Sequence, residues 1–118
     1  MLSHEKIRQF AEHWVEAWNT ADLPAIMGHY EDDVVFSSPL IVKRLGRPSG
    51  KIQGAAELQS YFSTSLSGEV LPQFVISSIA IGTDSFAITY TNHRAQTVVE
   101  TFFPGAEMKI SRVCVCWV

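Results

Sequence analysis

The sequence predicts an α+β fold in which three N-terminal helices pack on a curved, mainly antiparallel sheet. Apolar residues recur at helical spacing in the first part of the chain. After Gly68 the chain changes to β-branched and aromatic segments. The breaks between these segments are short, which favours antiparallel neighbours. A chain of 118 residues with 47% hydrophobic content forms one core, so we expect a single domain over residues 1–118.

The first helix is predicted by one continuous apolar stripe between residues 7 and 18. Its members fall at i, i+3, i+4, i+7, i+8 and i+11, and they are Ile7, Phe10, Ala11, Trp14, Val15 and Trp18. Ser3 is suited to cap this helix, and residues 19–20 are suited to end it. A short second helix is expected to begin after Asp22 and to end near Gly28.

The first strand is predicted to begin at residues 34–36, after an acidic turn at residues 31–33, and to end at Pro39. Residues 41–54 are predicted to form a loop, because three glycines and a proline break any period. The loop contains four of the nine cationic residues, which are Lys43, Arg44, Arg47 and Lys51. Two interpretations stay open: a solvated loop, or a basic lip over a pocket that attracts anionic ligands.

A third helix is predicted over residues 55–66, with Leu58, Tyr61, Phe62 and Leu66 on one face. Four strands are then predicted as an antiparallel meander, and they span residues 74–81, 85–92, 97–103 and 108–118.

Charge and targeting signals predict a cytoplasmic protein. The formal charge of −3 provides no electrostatic reason to expect a nucleic-acid or membrane partner. Residues 1–9 lack the apolar segment of a signal peptide, and no apolar run is long enough to span a membrane. Cys114 and Cys116 are expected to be free thiols in a reducing cytosol. We expect no metal site, because no His/Cys pair stands at ligand spacing.

Residues 10–39 and 54–62 resemble the nuclear transport factor 2-like superfamily, especially its SnoaL-like and ketosteroid-isomerase-like members. The resemblance implies a cone-shaped fold, in which a bent sheet wraps around the helices and encloses a pocket. It also implies a homodimer formed through the outer face of the sheet, and chemistry without a cofactor. Because the superfamily includes isomerases, cyclases, dehydratases and non-catalytic binders, it predicts the fold better than the reaction.

Two positions depart from the pattern of the catalytic relatives. Relatives that use a carboxylate base place an aspartate just before the proline that closes the first strand, where this chain has Ser38. A serine hydroxyl is too weak an acid and base to replace that aspartate. The isomerases place a tyrosine on the first helix, where this chain has Trp14, whose indole N–H donates but does not exchange protons usefully. Both departures argue against ketosteroid-isomerase chemistry.

Glu100 is the catalytic candidate, because the resemblance implies an acidic position on this late strand. With the period of a strand, Glu100 shares a face with Val98 and Phe102. A carboxyl on that apolar face is desolvated, and its pKa is raised. The alternative is that Glu100 lies on the exposed face and pairs with Arg94 or Arg112.

His93 is a second catalytic candidate, if its ring points towards Glu100 and forms an acid–base pair with it. The side chains expected to bind the ligand are mostly aromatic, and they are Trp14, Trp18, Tyr30, Ser38, Tyr61, Phe62, Tyr90 and Phe102.

Three functions remain open from the sequence. The first is a small-molecule-binding protein with an apolar pocket and no assured catalysis. The second is a cofactor-independent isomerase, cyclase or dehydratase that acts on an apolar small molecule by acid–base chemistry at Glu100. The third is a dimeric interaction module.

Overall fold

The computed structural model describes residues 2–118 and contains, in this range, four α-helices, one short 3-10 helix and six strands. In chain order they are α1 (His4–Asn19), α2 (Leu23–Met27), β1 (Tyr30–Ser37), α3 (Pro39–Leu45), β2 (Lys51–Gln53), α4 (Ala55–Leu66), β3 (Val75–Ile81), β4 (Phe86–Thr91), β5 (Thr97–Pro104), the 3-10 helix (Ala106–Met108) and β6 (Ile110–Trp117). The α+β class is confirmed. The helix over residues 55–66 is confirmed with the predicted bounds.

Helix α1 forms as predicted from its apolar stripe. Ser3 caps it, since its side chain accepts a hydrogen bond from the Lys6 N–H at 3.4 Å. The buried face differs from the predicted stripe at two positions, because Ala17 is buried and Val15 is only half-buried. Trp14 lies at the centre of this face and is fully buried. The helix therefore presents an indole ring to the middle of the sheet.

The predicted acidic turn at residues 31–33 is wrong, because β1 already begins at Tyr30. Asp32 and Asp33 point to solvent within the strand, so their charges cost little there. The strand is held by parallel pairing with β6, which joins Tyr30 to Ile110 and Phe36 to Val113 across an irregular register. Such distant pairing overrides the local preference of aspartates for turns.

The predicted loop over residues 41–54 is also wrong for residues 41–45 and 51–53. Pro39 begins helix α3 as well as ending the first strand, because its fixed φ suits the first helical turn. Ser38 caps α3 by accepting from the Leu40 N–H at 3.2 Å, and Gly46 ends it with a φ of 60°. Residues 2–118 thus form four α-helices where the sequence predicted three.

The sheet has the strand order β2-β1-β6-β5-β4-β3, and every pair except β1–β6 is antiparallel. The predicted meander of the last four strands is confirmed. Side chains of the inner face pack against α1 and form the core with it, among them Phe86, Ile88, Tyr90, Val98 and Phe102. Residues 2–118 contain no helix that is both long and apolar enough to cross a membrane.

Gly50, in the segment that follows α3, packs against the backbone at the junction of β1 and α3. It has a φ of 65°, and a Cβ there would lie 3.1 Å from the Ser38 carbonyl oxygen. Because the two backbones come this close, the Ser38 N–H donates to the Gly50 carbonyl at 2.9 Å. Ser38 is thereby held at the junction between the sheet and the helix.

Candidate functional site

A cavity of about 900 Å³ lies between the inner face of the sheet, helices α3 and α4, and the turn that joins β4 to β5. Six of the ten side chains predicted to be catalytic or ligand-binding line it, and they are Trp18, Ser38, Tyr61, Phe62, His93 and Glu100. Four others are buried behind its wall, and they are Trp14, Tyr30, Tyr90 and Phe102. Glu100 therefore lies where the cavity meets the aromatic core, and its carboxyl is buried there.

Glu100 is held on the inner face of the sheet by the alternation of β5. Its side chain is 6% exposed, and its strand neighbours in register are Ile88 and Val115. The Tyr90 hydroxyl donates a 2.5 Å hydrogen bond to Glu100 Oε2. Within residues 2–118 the other oxygen, Oε1, has no hydrogen-bond partner and is not sealed by protein, so it faces the cavity.

The register of the β4–β5 hairpin explains why Tyr90 reaches Glu100. Tyr90 pairs with Val98, and Ile88 pairs with Glu100, so Tyr90 and Glu100 are diagonal neighbours on one face. Diagonal side chains on adjacent strands lie within reach of a tyrosine ring. The alternative in which Glu100 is exposed and pairs with Arg94 or Arg112 is wrong.

Burial sets the protonation of this pair. Removal of the carboxyl from water raises the pKa of Glu100 to about 7, and the hydrogen bond from Tyr90 partly opposes this shift. Burial and the negative charge of Glu100 raise the pKa of Tyr90 above its ordinary value, so Tyr90 remains a neutral donor. Glu100 is therefore present both as an acid and as a base near neutral pH.

Two more polar groups lie behind Glu100. Trp14 Nε1 and the Tyr30 hydroxyl are sealed from solvent, and neither has a hydrogen-bond partner of good geometry within residues 2–118. Burial raises the pKa of Tyr30, the charge of Glu100 raises it further, and the Trp14 N–H opposes the shift. Each sealed group without a partner costs about 1–3 kcal/mol. A core built for stability alone would avoid that cost.

His93 lies in the wall of the cavity but does not form the acid–base pair with Glu100. Its side chain is exposed in the turn between β4 and β5, and the hydrogen bond to Glu100 is made by Tyr90 instead. Asn92 shapes this turn, because its Oδ1 accepts from the backbone N–H groups of Arg94 and Gln96 at 2.9 and 3.1 Å. The turn is therefore ordered by Asn92, and His93 stands free on it.

The basic residues of the predicted loop divide into two groups. Lys43 and Arg44 extend from α3 and line the cavity, whereas Arg47 forms a bidentate ion pair with Glu57 at 2.9–3.0 Å. Lys51 is exposed on β2 and lies outside the cavity. The sequence therefore identified the basic residues, but not the helix that brings two of them to the cavity.

Sequence reasoning missed Tyr90 as the partner of Glu100, and it missed Trp117 in the cavity wall. The hydrogen bond could have been predicted by placing the hairpin turn at residues 92–96 and identifying the side chains that are then diagonal neighbours on the two strands. Trp117 shares the inner face through its pairing with Val98. Among residues 2–118, no group of three or more His, Cys, Asp or Glu side chains is arranged to hold a metal ion.

Comparison with known proteins gives one family and several similar structures. A family model for the SnoaL-like domain matches residues 11–118. A SnoaL-like protein of unknown function from Burkholderia thailandensis is 30% identical and superposes with a TM-score of 0.95, over 98% of this chain and 97% of that one. No curated protein has significant sequence similarity to the chain.

Two further solved structures share the fold at low sequence identity. SalBIII, described as an epoxide hydrolase/cyclase-like enzyme in pyran ring formation in the polyether salinomycin, is 18% identical with a TM-score of 0.76, over 100% of this chain and 95% of that one. A candidate polyketide cyclase from Sinorhizobium meliloti is 12% identical with a TM-score of 0.70, over 92% of this chain and 94% of that one. Both extend the structural likeness along nearly the full chain.

Proposed function

The chain belongs to the family of SnoaL-like domains, and from this premise we propose that it is a cofactor-independent acid–base enzyme for an apolar small molecule. Glu100 carries the proton in this proposal. The observation that supports it is a buried carboxyl whose Oε2 is held by Tyr90 and whose Oε1 faces a cavity of about 900 Å³. Isomerisation, cyclisation and dehydration are the reaction classes that such a group serves.

Glu100 can act in either direction at neutral pH. As a carboxylate, its Oε1 removes a proton from the substrate, and as a carboxylic acid it returns a proton to a developing oxyanion or to a leaving oxygen. Tyr90 keeps the carboxyl in one orientation and does not itself ionise. Burial of the carboxyl keeps its pKa near the operating pH, and apolar side chains such as Trp18 and Phe62 line the same cavity.

The two departures from the isomerase pattern limit the proposal to this carboxyl. Ser38 caps α3 and holds no proton that it can exchange usefully near neutral pH. Trp14 lies behind the cavity wall.

Hydrogen exchange at carbon tests the proposal and does not require the substrate to be identified first. A panel of apolar ketones and esters with acidic C–H bonds is incubated with the protein in D₂O, and deuterium uptake is read by mass spectrometry. We expect uptake in at least one compound and a loss of roughly 100-fold or more in Glu100→Gln. Glu16→Gln, which removes an exposed carboxylate on α1, is the matched control. Equal uptake in wild type and Glu100→Gln would contradict the role of Glu100.

A second candidate function is binding of an apolar small molecule without catalysis. Ser38 and Trp14 favour it, because they occupy the positions at which catalytic relatives are expected to carry proton-exchanging groups. Mass spectrometry of ligands retained by the purified protein distinguishes the two functions. A retained compound that binds wild type and Glu100→Gln alike, and that gains no deuterium, supports binding alone.

We also propose that the protein forms a homodimer through the outer face of the sheet. Half-buried Val99, Phe103 and Cys114 and exposed Cys116 stand on this face, opposite to Glu100. Sedimentation equilibrium is expected to show a dimer, and Val99→Arg is expected to shift it towards the monomer because it places a charge in the contact. A monomeric wild type at high protein concentration would contradict this arrangement.

A further inference from the structure

Three cationic side chains stand at the cavity without a carboxylate partner. Lys43 and Arg44 extend from α3, and Arg94 lies in the β4–β5 turn. In residues 2–118, the ion pairs of arginine and lysine involve only Arg8 and Arg47. A chain with a net charge of −3 thus places a third of its nine cations around one cavity and leaves their charge uncompensated.

The acidic groups of the cavity do not cancel this positive charge. Glu57 is already neutralised by Arg47, which grips both of its oxygens. Glu100 is bound to Tyr90 and, near neutral pH, is ionised only in part. The field inside the cavity mouth is therefore positive, and a concave surface concentrates such a field.

The cations are held in place by contacts that leave their charged heads free for an anion. The Lys43 ammonium lies 4.9 Å from the ring centre of Trp117. Arg44 donates one hydrogen bond to Ser65 Oγ at 2.8 Å, and its guanidinium lies 5.9 Å from the ring centre of Tyr61. Because Ser65 is neutral, it does not compensate the positive charge of Arg44, and the remaining guanidinium N–H groups can donate to a ligand.

The positive end of the cavity lies next to the strand that carries Glu100. Trp117, beneath Lys43, pairs with Val98, which stands two residues before Glu100 on β5. The turn that carries Arg94 leads directly into the same strand. One end of the cavity is therefore cationic, and the carboxyl of Glu100 lies further along β5 from it.

A tyrosine side chain packs beside Arg44 at this end of the cavity. Tyr61 lines the cavity and is 8% exposed, and its hydroxyl is sealed by the protein. Burial raises the pKa of Tyr61, and the nearby charge of Arg44 opposes the shift. The phenol therefore stays neutral, and it leaves the positive charge of Arg44 uncompensated.

We infer that the molecule bound in this cavity is an amphipathic organic acid, whose anionic head is held by Lys43, Arg44 and Arg94 and whose apolar body extends inward to Glu100. The inference rests on the proposed function, since it names the substrate class of the same site. It adds an orientation, because the anionic head remains at the mouth and the reacting carbon lies further in, beside Glu100. A planar guanidinium favours a carboxylate or sulfonate head that can accept two parallel hydrogen bonds.

Two dyes with one aromatic body test this inference. Anilinonaphthalene sulfonate carries an anionic head, and N-phenylnaphthylamine is its neutral counterpart, so fluorescence titration separates the charge from the apolar contact. We expect the wild type to bind the sulfonate more tightly than the neutral dye. We also expect added salt to weaken the sulfonate only, because salt screens charges near a surface.

A triple variant locates the effect at the cavity mouth. Lys43→Gln with Arg44→Gln and Arg94→Gln is expected to weaken sulfonate binding on the order of tenfold, since three partly exposed charge contacts are lost together. Binding of the neutral dye is expected to stay within about twofold, which also shows that the variant is folded. The control is a second triple variant that removes equal charge at exposed sites outside the cavity, with Lys6→Gln, Arg8→Gln and Lys51→Gln.

Each outcome decides between the two proposals. If both triple variants lose the same amount of sulfonate affinity, the proposal of an amphipathic acid is wrong. It is also wrong if the wild type binds the sulfonate no more tightly than the neutral dye. Neither result contradicts the proposed acid–base enzyme. Failure of both dyes to bind the wild type overturns the cavity as a binding site, and both proposals with it. Selective loss in the first triple variant, together with absent deuterium exchange, upholds the anionic ligand and overturns only the catalysis.

Discussion

Replacement of Glu100 by glutamine is expected to change how stability depends on pH. The carboxyl has an ordinary pKa of 4.5 and a pKa of about 7 in the folded protein. The folded state therefore holds this proton more tightly than the unfolded state, so the free energy of unfolding decreases as pH rises through this window. At about 1.4 kcal/mol per pKa unit, the loss between about pH 4 and pH 8 amounts to about 3 kcal/mol.

Glutamine keeps an acceptor for the Tyr90 hydroxyl and carries no charge, so Glu100→Gln removes this loss. We expect urea unfolding at a series of pH values to show that the free energy of unfolding of the variant, relative to the wild type, rises by about 3 kcal/mol between about pH 4 and pH 8. Glu16→Gln, which lies on an exposed face of α1, controls for the removal of one carboxylate. If the free energy of unfolding depends on pH in the same way in wild type and Glu100→Gln, the claim that burial of the ionised carboxyl destabilises the fold is refuted.

Two further predictions concern the groups around Glu100. Tyr90→Phe removes the hydrogen bond to Oε2. Because a hydrogen bond to a charged group contributes about 1.5–3 kcal/mol, we expect the pKa of Glu100 to rise by about one to two units. A pH profile of deuterium exchange that does not move to higher pH would contradict this, and Glu16→Gln, at an exposed site on α1, is the control. Ser38→Ala removes the cap of α3 and is expected to lower the free energy of unfolding in urea by about 1 kcal/mol. An unchanged free energy of unfolding would mean that the cap does not stabilise the helix.

The helices and the later strands could be predicted because their signals are local. The stripe of α1 and the face of α4 each repeat at helical spacing, and the four last strands stand between short breaks. Helix α3 could not be predicted, because it is short and Gly46 and Gly50 follow closely. It depends on the Ser38 cap and on Ile41, which is buried against the rest of the core.

The site could be predicted in part, for a related reason. The inward face of Glu100 follows from the alternation of β5, which is local to the strand. Its bond to Tyr90 depends on the register between two strands, and the sealed positions of Trp14 and Tyr30 depend on how α1 and β1 pack. Such contacts join residues that are distant in sequence, so periodicity alone does not reveal them.

Titration of the Glu100 side chain by NMR tests the central claim most directly. Glutamate labelled with ¹³C at the side-chain carboxyl gives one signal for each residue, and Glu100→Gln identifies the signal of Glu100 by its absence. We predict that this signal titrates with a midpoint of about 7, because burial raises the pKa of the carboxyl. A midpoint near the ordinary value of 4.5 would contradict the account, because Glu100 would then be fully ionised at neutral pH.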